Sequence, residues 1–368
     1  MTDWRGVKRV HLIGVCGTGM GSFAGMLKAA GHEVTGSDEN VYPPMSTQLE
    51  SWGIEVMQGY RPENLDRARP DLVVVGNVVR AVNPEAVAMR ERGLPHVSFP
   101  QALGELFIGP RHGVVVVGTH GKTTTSALMG FLLFHAGRDP SFLVGGVNRD
   151  FDSNFRIGAG ETFVVEGDEY DTAYFDKGPK FLHYRPRTAI FTSCELDHAD
   201  IYRDEAHYEG AFDRFVDLLP ADGFLAACST WESVTRIASR ARCPVETYSV
   251  ERPADWEARG LRLGADGARF HLFRGDRDLG PVRLAVGGAH NVENALGVAA
   301  AATRLGLSVA EIAAGLEAFR GVKRRQEVGE PLERRLVVGL VPVDVGVVQF
   351  TRREDGGARP VVEELGAL

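Results

Sequence analysis

The sequence predicts an α/β protein: an N-terminal Rossmann-like parallel sheet, then a P-loop-type α/β region containing a small antiparallel β portion. Three observations predict it. Short apolar runs alternate with helical patterns from residue 7 to about 110, the signature of a parallel sheet with helices on its faces. VVVVGTHGKTTTSAL at 114–128 then sets an all-valine strand before a glycine turn and a helix. Two later strands, in ETFVVEGDEYD and TAIFTSCELDHAD, end in acidic residues.

Taken in order, VKRVHLIGV, GMGSFAGMLKAAG, HEVTGSD, STQLESWG, DLVVVGN and PEAVAMRERG read as strand, helix, strand, helix, strand, helix. Four consecutive valines at 114–117 suit a sheet buried on both faces, where no polar alternation is needed. Residues 224–286 are choppier and rich in Arg, Asp and Gly, and read as short antiparallel strands and turns. GAHNVENALGVAAAATRLGL and SVAEIAAGLEAF read as two helices, the first closed by Gly306. The division expected is 1–110, 111–325 and a divergent remnant at 326–368.

Composition narrows the function. With 368 residues, 44% of them hydrophobic, there is ample material for more than one core. A net charge of −8 argues against a general nucleic-acid binder, which must neutralise many phosphates. No stretch approaches the roughly 18 apolar residues of a membrane span, and the N-terminus lacks a signal-peptide pattern. Four scattered cysteines form no C-x-x-C pair. The expectation is a cytoplasmic protein, a monomer or weak homo-oligomer, without nucleic-acid or membrane partners.

Two glycine turns carry the chemistry. HLIGVCGTGMGS puts Gly14, Gly17, Gly19 and Gly21 between a strand and a helix, where backbone N–H groups meet a phosphate. Asp38 closes the next strand, where an acid meets a ribose in nucleotide-binding folds. The turn alone fits a dinucleotide or a UDP-sugar equally. GTHGKTT at 118–124 is a shortened P-loop, since Val116 stands where the full motif has glycine. Gly118, Thr119, His120, Gly121 and Thr124 would wrap a triphosphate, Lys122 would supply a mobile charge, and Thr123 a hydroxyl to Mg²⁺. Glu166, Asp168 and Glu169 end one neighbouring strand; Glu195, Asp197, His198 and Asp200 end another. One or two such carboxylates suffice for Mg²⁺, which keeps several waters.

GTHGKTTTSAL, VVEGDEYD, CELDHAD, GGAHNVENAL and GVKRRQEV occur here in the order they take in the Mur ligases. The chain resembles that family over residues 7 to 328. Within the family, DEYDTAYFDKGPKFLHYRPRT is similar to members acting on a peptide rather than on free L-alanine. The resemblance implies an ATP- and Mg²⁺-dependent ligase joining L-alanyl-γ-D-glutamyl-meso-diaminopimelate, the murein tripeptide, to UDP-N-acetylmuramate. It implies UDP contacts from Gly17, Thr18, Gly19, Met20, Gly21 and Asp38, which removes the dinucleotide alternative. ATP would meet Lys122, Asn291, Asn294 and Arg325; metal would meet Thr123, Glu166 and His198; His120 would face the muramoyl carboxylate.

The family carries a further Rossmann-like domain with an Asp-Asp-(Tyr/Phe)-x-His-His-Pro strand end, and the residues after Arg325 contain no His-His-Pro. The sequence therefore leads us to expect nucleotide binding with ligation weak or lost. The competing reading is a non-catalytic nucleotide or UDP-muramate binder; an NAD-dependent oxidoreductase leaves the second turn unexplained.

Overall fold

The computed structural model describes residues 4–196 and 202–323. The first sheet is built from β1 (Arg9–Ile13), β2 (Glu33–Asp38), β3 (Glu55–Gln58), β4 (Leu72–Val75) and β5 (His96–Ser98). They are joined by α1 (Thr18–Ala29), α2 (Met45–Ser51), α3 (Pro62–Ala68) and α4 (Pro84–Glu91), and α5 (Phe99–Leu103) follows. All neighbours are parallel, in the order β3-β2-β1-β4-β5. The strand alternation is legible in the burial. Val10, Leu12, Leu72 and Val74 pack with Phe23 and Leu27 of α1. Ile13, Val73 and Val75 pack with Leu65, Ala86 and Met89 under α3 and α4.

The second sheet begins with β6 (His112–Val117), α6 (Lys122–His135), β7 (Ser141–Asn148), β8 (Ser153–Arg156) and β9 (Thr162–Glu166). The hairpin β10 (Asp171–Ala173) and β11 (Asp176–Pro179) stands apart, before β12 (Thr188–Phe191). Then come α7 (Glu205–Val216), β13 (Phe224–Cys228), α8 (Glu232–Ala238), β14 (Val245–Ser249), β15 (Trp256–Gly264), β16 (Gly267–Arg274) and β17 (Arg277–Leu284). Finally α9 (Ala289–Arg304), α10 (Val309–Ala318) and β18 (Val322–Lys323) close the described chain. The order is β17-β16-β15-β14-β13-β12-β6-β9-β7-β18, with β8 paired to β7.

The four valines of β6 behave as a doubly covered strand should. Val115 and Val117 join the core that holds Phe191 and Phe212, while Val114 and Val116 join the one under α6 and α9. Gly306 closes α9 in the left-handed region, at φ +84°, as expected.

One expectation needs correction. Residues 224–249 are not antiparallel: β13 and β14 extend the parallel sheet, with α8 as crossover. Only β15, β16 and β17 form an antiparallel meander, and their strands of 8–9 residues are long rather than short. Short β3 and α3 were not foreseen, nor was β8.

The hairpin of β7 and β8 fastens the first sheet to the second. The Ser22 hydroxyl of α1 donates to Asn154 Oδ1 of β8 at 2.9 Å, both residues buried, and Trp52 meets Phe155 edge-on at 5.4 Å. The described residues belong to one compact unit, Met1–Lys323. Among them no helix is long and apolar enough to cross a membrane. The expectations for His198, Arg325 and the 326–368 remnant fall outside the described residues.

Candidate nucleotide sites at two glycine turns

The first turn leaves β1 with the N–H groups of Gly14 and Val15 both donating to Ser37 O, at 2.8 and 3.1 Å. The chain then bends around Asp38. Its Oδ2 accepts from Cys16 N–H at 2.8 Å and its Oδ1 from Asn40 N–H at 3.0 Å. Asp38 is buried, so this structure has it shaping the turn from behind. Burial and the neighbouring Asp38 push the Cys16 thiol up to about 11, which keeps it a thiol. Gly17 caps α1 with no side-chain bond to the helix start, and the space beyond its Cα is open. Thr18 and Gly19 continue that open end, Gly19 lying against the Phe99 ring. Met20 and Gly21 turn inward, Gly21 onto Met45. The resulting helix start has bare N–H groups and an axial dipole, both suited to an anion.

The second turn lies between β6 and α6, and β6 is flanked by β12 and β9. Strand ends from both neighbours therefore surround the turn. Gly118 takes φ +131°; a Cβ there would stand 2.7 Å from Ser193 N. Gly121 takes φ +81° as N-cap of α6, and its Cβ would stand 2.7 Å from Asn294 Oδ1. Both positions demand glycine, for backbone conformation and for space. The β12 end holds the loop: Thr119 N–H donates to Ser193 O at 3.0 Å, His120 N–H to Ser193 Oγ at 2.7 Å, and Thr192 Oγ1 to His120 O at 2.5 Å. The Thr119 hydroxyl also meets Tyr208 OH at 2.9 Å. His120 projects outward with its ring 3.3 Å from Glu195. Thr124 sits half-buried in the first turn of α6.

Lys122 folds back over its own loop. Its Nζ donates to Gly118 O at 2.5 Å and Thr119 O at 3.2 Å, and lies 2.9 Å from a Glu169 oxygen. Thr123 Oγ1 donates to Glu166 Oε1 at 2.9 Å, while Glu166 Oε2 accepts from Gly145 N–H at 2.7 Å. Burial raises the Glu166 carboxyl above its usual range and Asp168 adds to this, against the Thr123 hydroxyl, the Gly145 N–H and Lys122. Burial would raise Asp168 too, but the ammonium of Lys180, 3.0 Å away, and the Tyr170 hydroxyl hold it below. Thr123 and Glu166 supply two hard oxygens at one point, a donor set that fits Mg²⁺. Among the described residues no cluster of three His, Cys, Asp or Glu side chains stands ready for a metal.

On α9, Asn291 donates to Gly287 O at 2.6 Å near the surface, whereas Asn294 is buried against the Gly121 turn. Glu169, Ser193, Thr192 and Gly145 were not singled out as site residues. Glu169 was visible only as one of several acids at a strand end; its pairing with Lys122 joins positions 47 apart.

Both regions match known protein families. The profile of "Mur ligase family, catalytic domain" matches residues 9–109, and that of "Mur ligase middle domain" residues 116–302. The UDP-N-acetylmuramate–L-alanyl-γ-D-glutamyl-meso-2,6-diaminoheptandioate ligase of Escherichia coli is 38% identical over 320 residues, covering 87% of this chain and 69% of that one. A UDP-N-acetylmuramate–L-alanine ligase of Kineococcus radiotolerans is 38% identical over 364 residues, 96% of this chain and 74% of that one. The crystal structure of the corresponding diaminopimelate tripeptide ligase of Neisseria meningitides superposes with a TM-score of 0.80 at 38% identity. It covers 86% of this chain and 99% of that one.

Proposed function

The chain belongs to the Mur ligase family, and from that premise we propose that it joins L-alanyl-γ-D-glutamyl-meso-diaminopimelate to UDP-N-acetylmuramate at the expense of ATP. The observation that carries this reading is the second turn: a glycine cradle, a lysine and a Thr123–Glu166 oxygen pair converge where β6 meets its two parallel neighbours. The Escherichia coli relative bears the name of the tripeptide ligase, which favours the tripeptide as amine donor.

A carboxylate is a poor electrophile, so the reaction begins with its phosphorylation. The γ-phosphoryl group passes from ATP to a muramoyl carboxylate oxygen, giving an acyl phosphate and ADP. The free amine of the peptide then attacks the acyl carbon, the C–O bond to phosphate breaks, and inorganic phosphate and a proton depart as the amide forms. The backbone N–H groups at Gly121 and Lys122, which Ser193 does not engage, would hold the phosphates in line, and Lys122 offsets charge growing on the transferring group. Thr123 and Glu166, with His198, would hold Mg²⁺, which when bound neutralises phosphate oxygens. The open start of α1, at Gly17, Thr18 and Gly19, would receive the UDP pyrophosphate.

The deciding experiment incubates the full chain with ATP, Mg²⁺, UDP-N-acetylmuramate and either the tripeptide or L-alanine, followed by mass spectrometry of the UDP product. Formation of the UDP-linked tripeptide supports the proposal. Product with L-alanine alone would reassign the amine substrate. A chain that binds neither nucleotide by titration would refute the site itself.

A further inference from the structure

The resting position of Lys122 is the starting point. An ammonium has three N–H donors, and Lys122 directs them at Gly118 O, at Thr119 O and at the Glu169 carboxylate, whose oxygens lie 2.9 and 3.2 Å away. The pair is sequestered: side-chain exposure is 11% for Lys122 and 2% for Glu169. The segment carrying Glu169 is tied to the loop it faces. Its carbonyl accepts the Tyr202 hydroxyl, Tyr202 meets Tyr208 edge-on at 4.9 Å, and Tyr208 OH bonds the Thr119 hydroxyl at 2.9 Å. The neighbouring carboxylates are engaged elsewhere, Asp168 by Lys180 and Glu166 by Thr123 and Gly145. Glu169 is thus the acid set directly against the lysine of the turn.

We propose that Glu169 is a positioning residue that competes with nucleotide phosphates for Lys122, holding the ammonium folded onto its own loop until a polyphosphate displaces it. This rests on the reading of 118–123 as a triphosphate cradle. A buried ammonium without a counter-ion is costly, so the carboxylate keeps the empty turn formed. The same carboxylate then opposes every phosphate that arrives, by occupying the lysine and by like charge. Affinity for ATP and ADP is set below what the cradle could deliver, and departure of ADP is eased because Glu169 reclaims the ammonium.

The test is isothermal titration of ATP, ADP and adenosine into the full chain, its Glu169→Gln variant and its Glu169→Asp variant. Glutamine preserves shape and removes the charge. Exchanging a charge-assisted bond for a neutral one predicts about tenfold tighter ATP and ADP binding. Adenosine, which has no phosphate, should bind all three alike. Aspartate withdraws the carboxylate from Nζ while keeping the charge, so its ATP affinity should fall between the other two. A residue of purely structural importance would move affinity the opposite way on substitution. Equal or weaker ATP binding by Glu169→Gln overturns the proposal; should that variant not fold, equal or weaker binding by Glu169→Asp does so. If the unaltered chain binds no ATP, the triphosphate reading falls and takes this inference with it. If that chain binds ATP and the variants do not tighten, only the competition is wrong.

Discussion

Replacing Gly121 by alanine should cripple triphosphate binding by an amount the structure allows us to work out. At φ +81° the new side chain sits in the left-handed region, which costs an L-residue about 1–2 kcal/mol. Its Cβ would also stand 2.7 Å from Asn294 Oδ1, well inside ordinary contact, and Asn294 is buried with little room to retreat. Where the empty turn relaxes that strain and the bound turn must restore it, ATP binding weakens by up to about five- to thirtyfold. The contact adds to that. The assay is titration calorimetry with Mg²⁺–ATP, using UDP-N-acetylmuramate as an internal control that should bind Gly121→Ala normally. The double variant Gly121→Ala/Asn294→Ala removes the contact and leaves the strain, so its further loss of ATP affinity, set against Asn294→Ala alone, measures the strain. Unchanged ATP affinity in a folded Gly121→Ala chain would refute the idea that ATP binding selects this conformation of the turn.

Three further outcomes follow from the same contacts. Thr123→Ala removes one of two oxygens proposed for Mg²⁺, so the gain in ATP affinity on adding Mg²⁺ should shrink by about tenfold while metal-free ATP binding holds, as read by paired titrations. Ser22→Ala leaves Asn154 Oδ1 without its buried donor; a loss of about 1–3 kcal/mol is expected, measured as a lower denaturation midpoint. His112 is held below its usual pKa by burial first and then by Arg187. The unfolded chain therefore takes up more protons than the folded one as pH falls below about 6.5, so stability drops through the window from there down to the depressed folded value. His112→Gln should flatten that fall in a thermal-melting series between pH 7 and 5; His32, depressed in the same direction, keeps it from vanishing.

The parts legible in the sequence were those with local signatures. The valine run of β6 announced a doubly buried strand because neither of its faces meets water, and Gly-Thr-His-Gly before Lys122 announced the tight turn into α6 because both glycines take positive φ. The parallel strands β13 and β14 were hidden. FLAAC is buried throughout but is followed by a crossover helix of only seven residues, and β14 opens with three half-buried positions, so neither period stands out. Asp38 was placed at the right strand end, and its bonds to Cys16 and Asn40 N–H groups depend on a turn geometry that composition does not encode. For Asn294 the family resemblance implied an ATP contact; the approach of α9 to Gly121 is a tertiary fact. Glu169 was one acid among several until the fold brought Lys122 to it.

Because the Ser22–Asn154 bond is dry, a swing of one sheet away from the other would strand the buried Asn154 Oδ1, while the Ser22 hydroxyl keeps Thr18 O at 2.8 Å as an acceptor. That cost favours one separation between the starts of α1 and α6. A sugar nucleotide and a triphosphate seated at those two starts would meet a preset spacing, and reach across it would come from their own flexible arms.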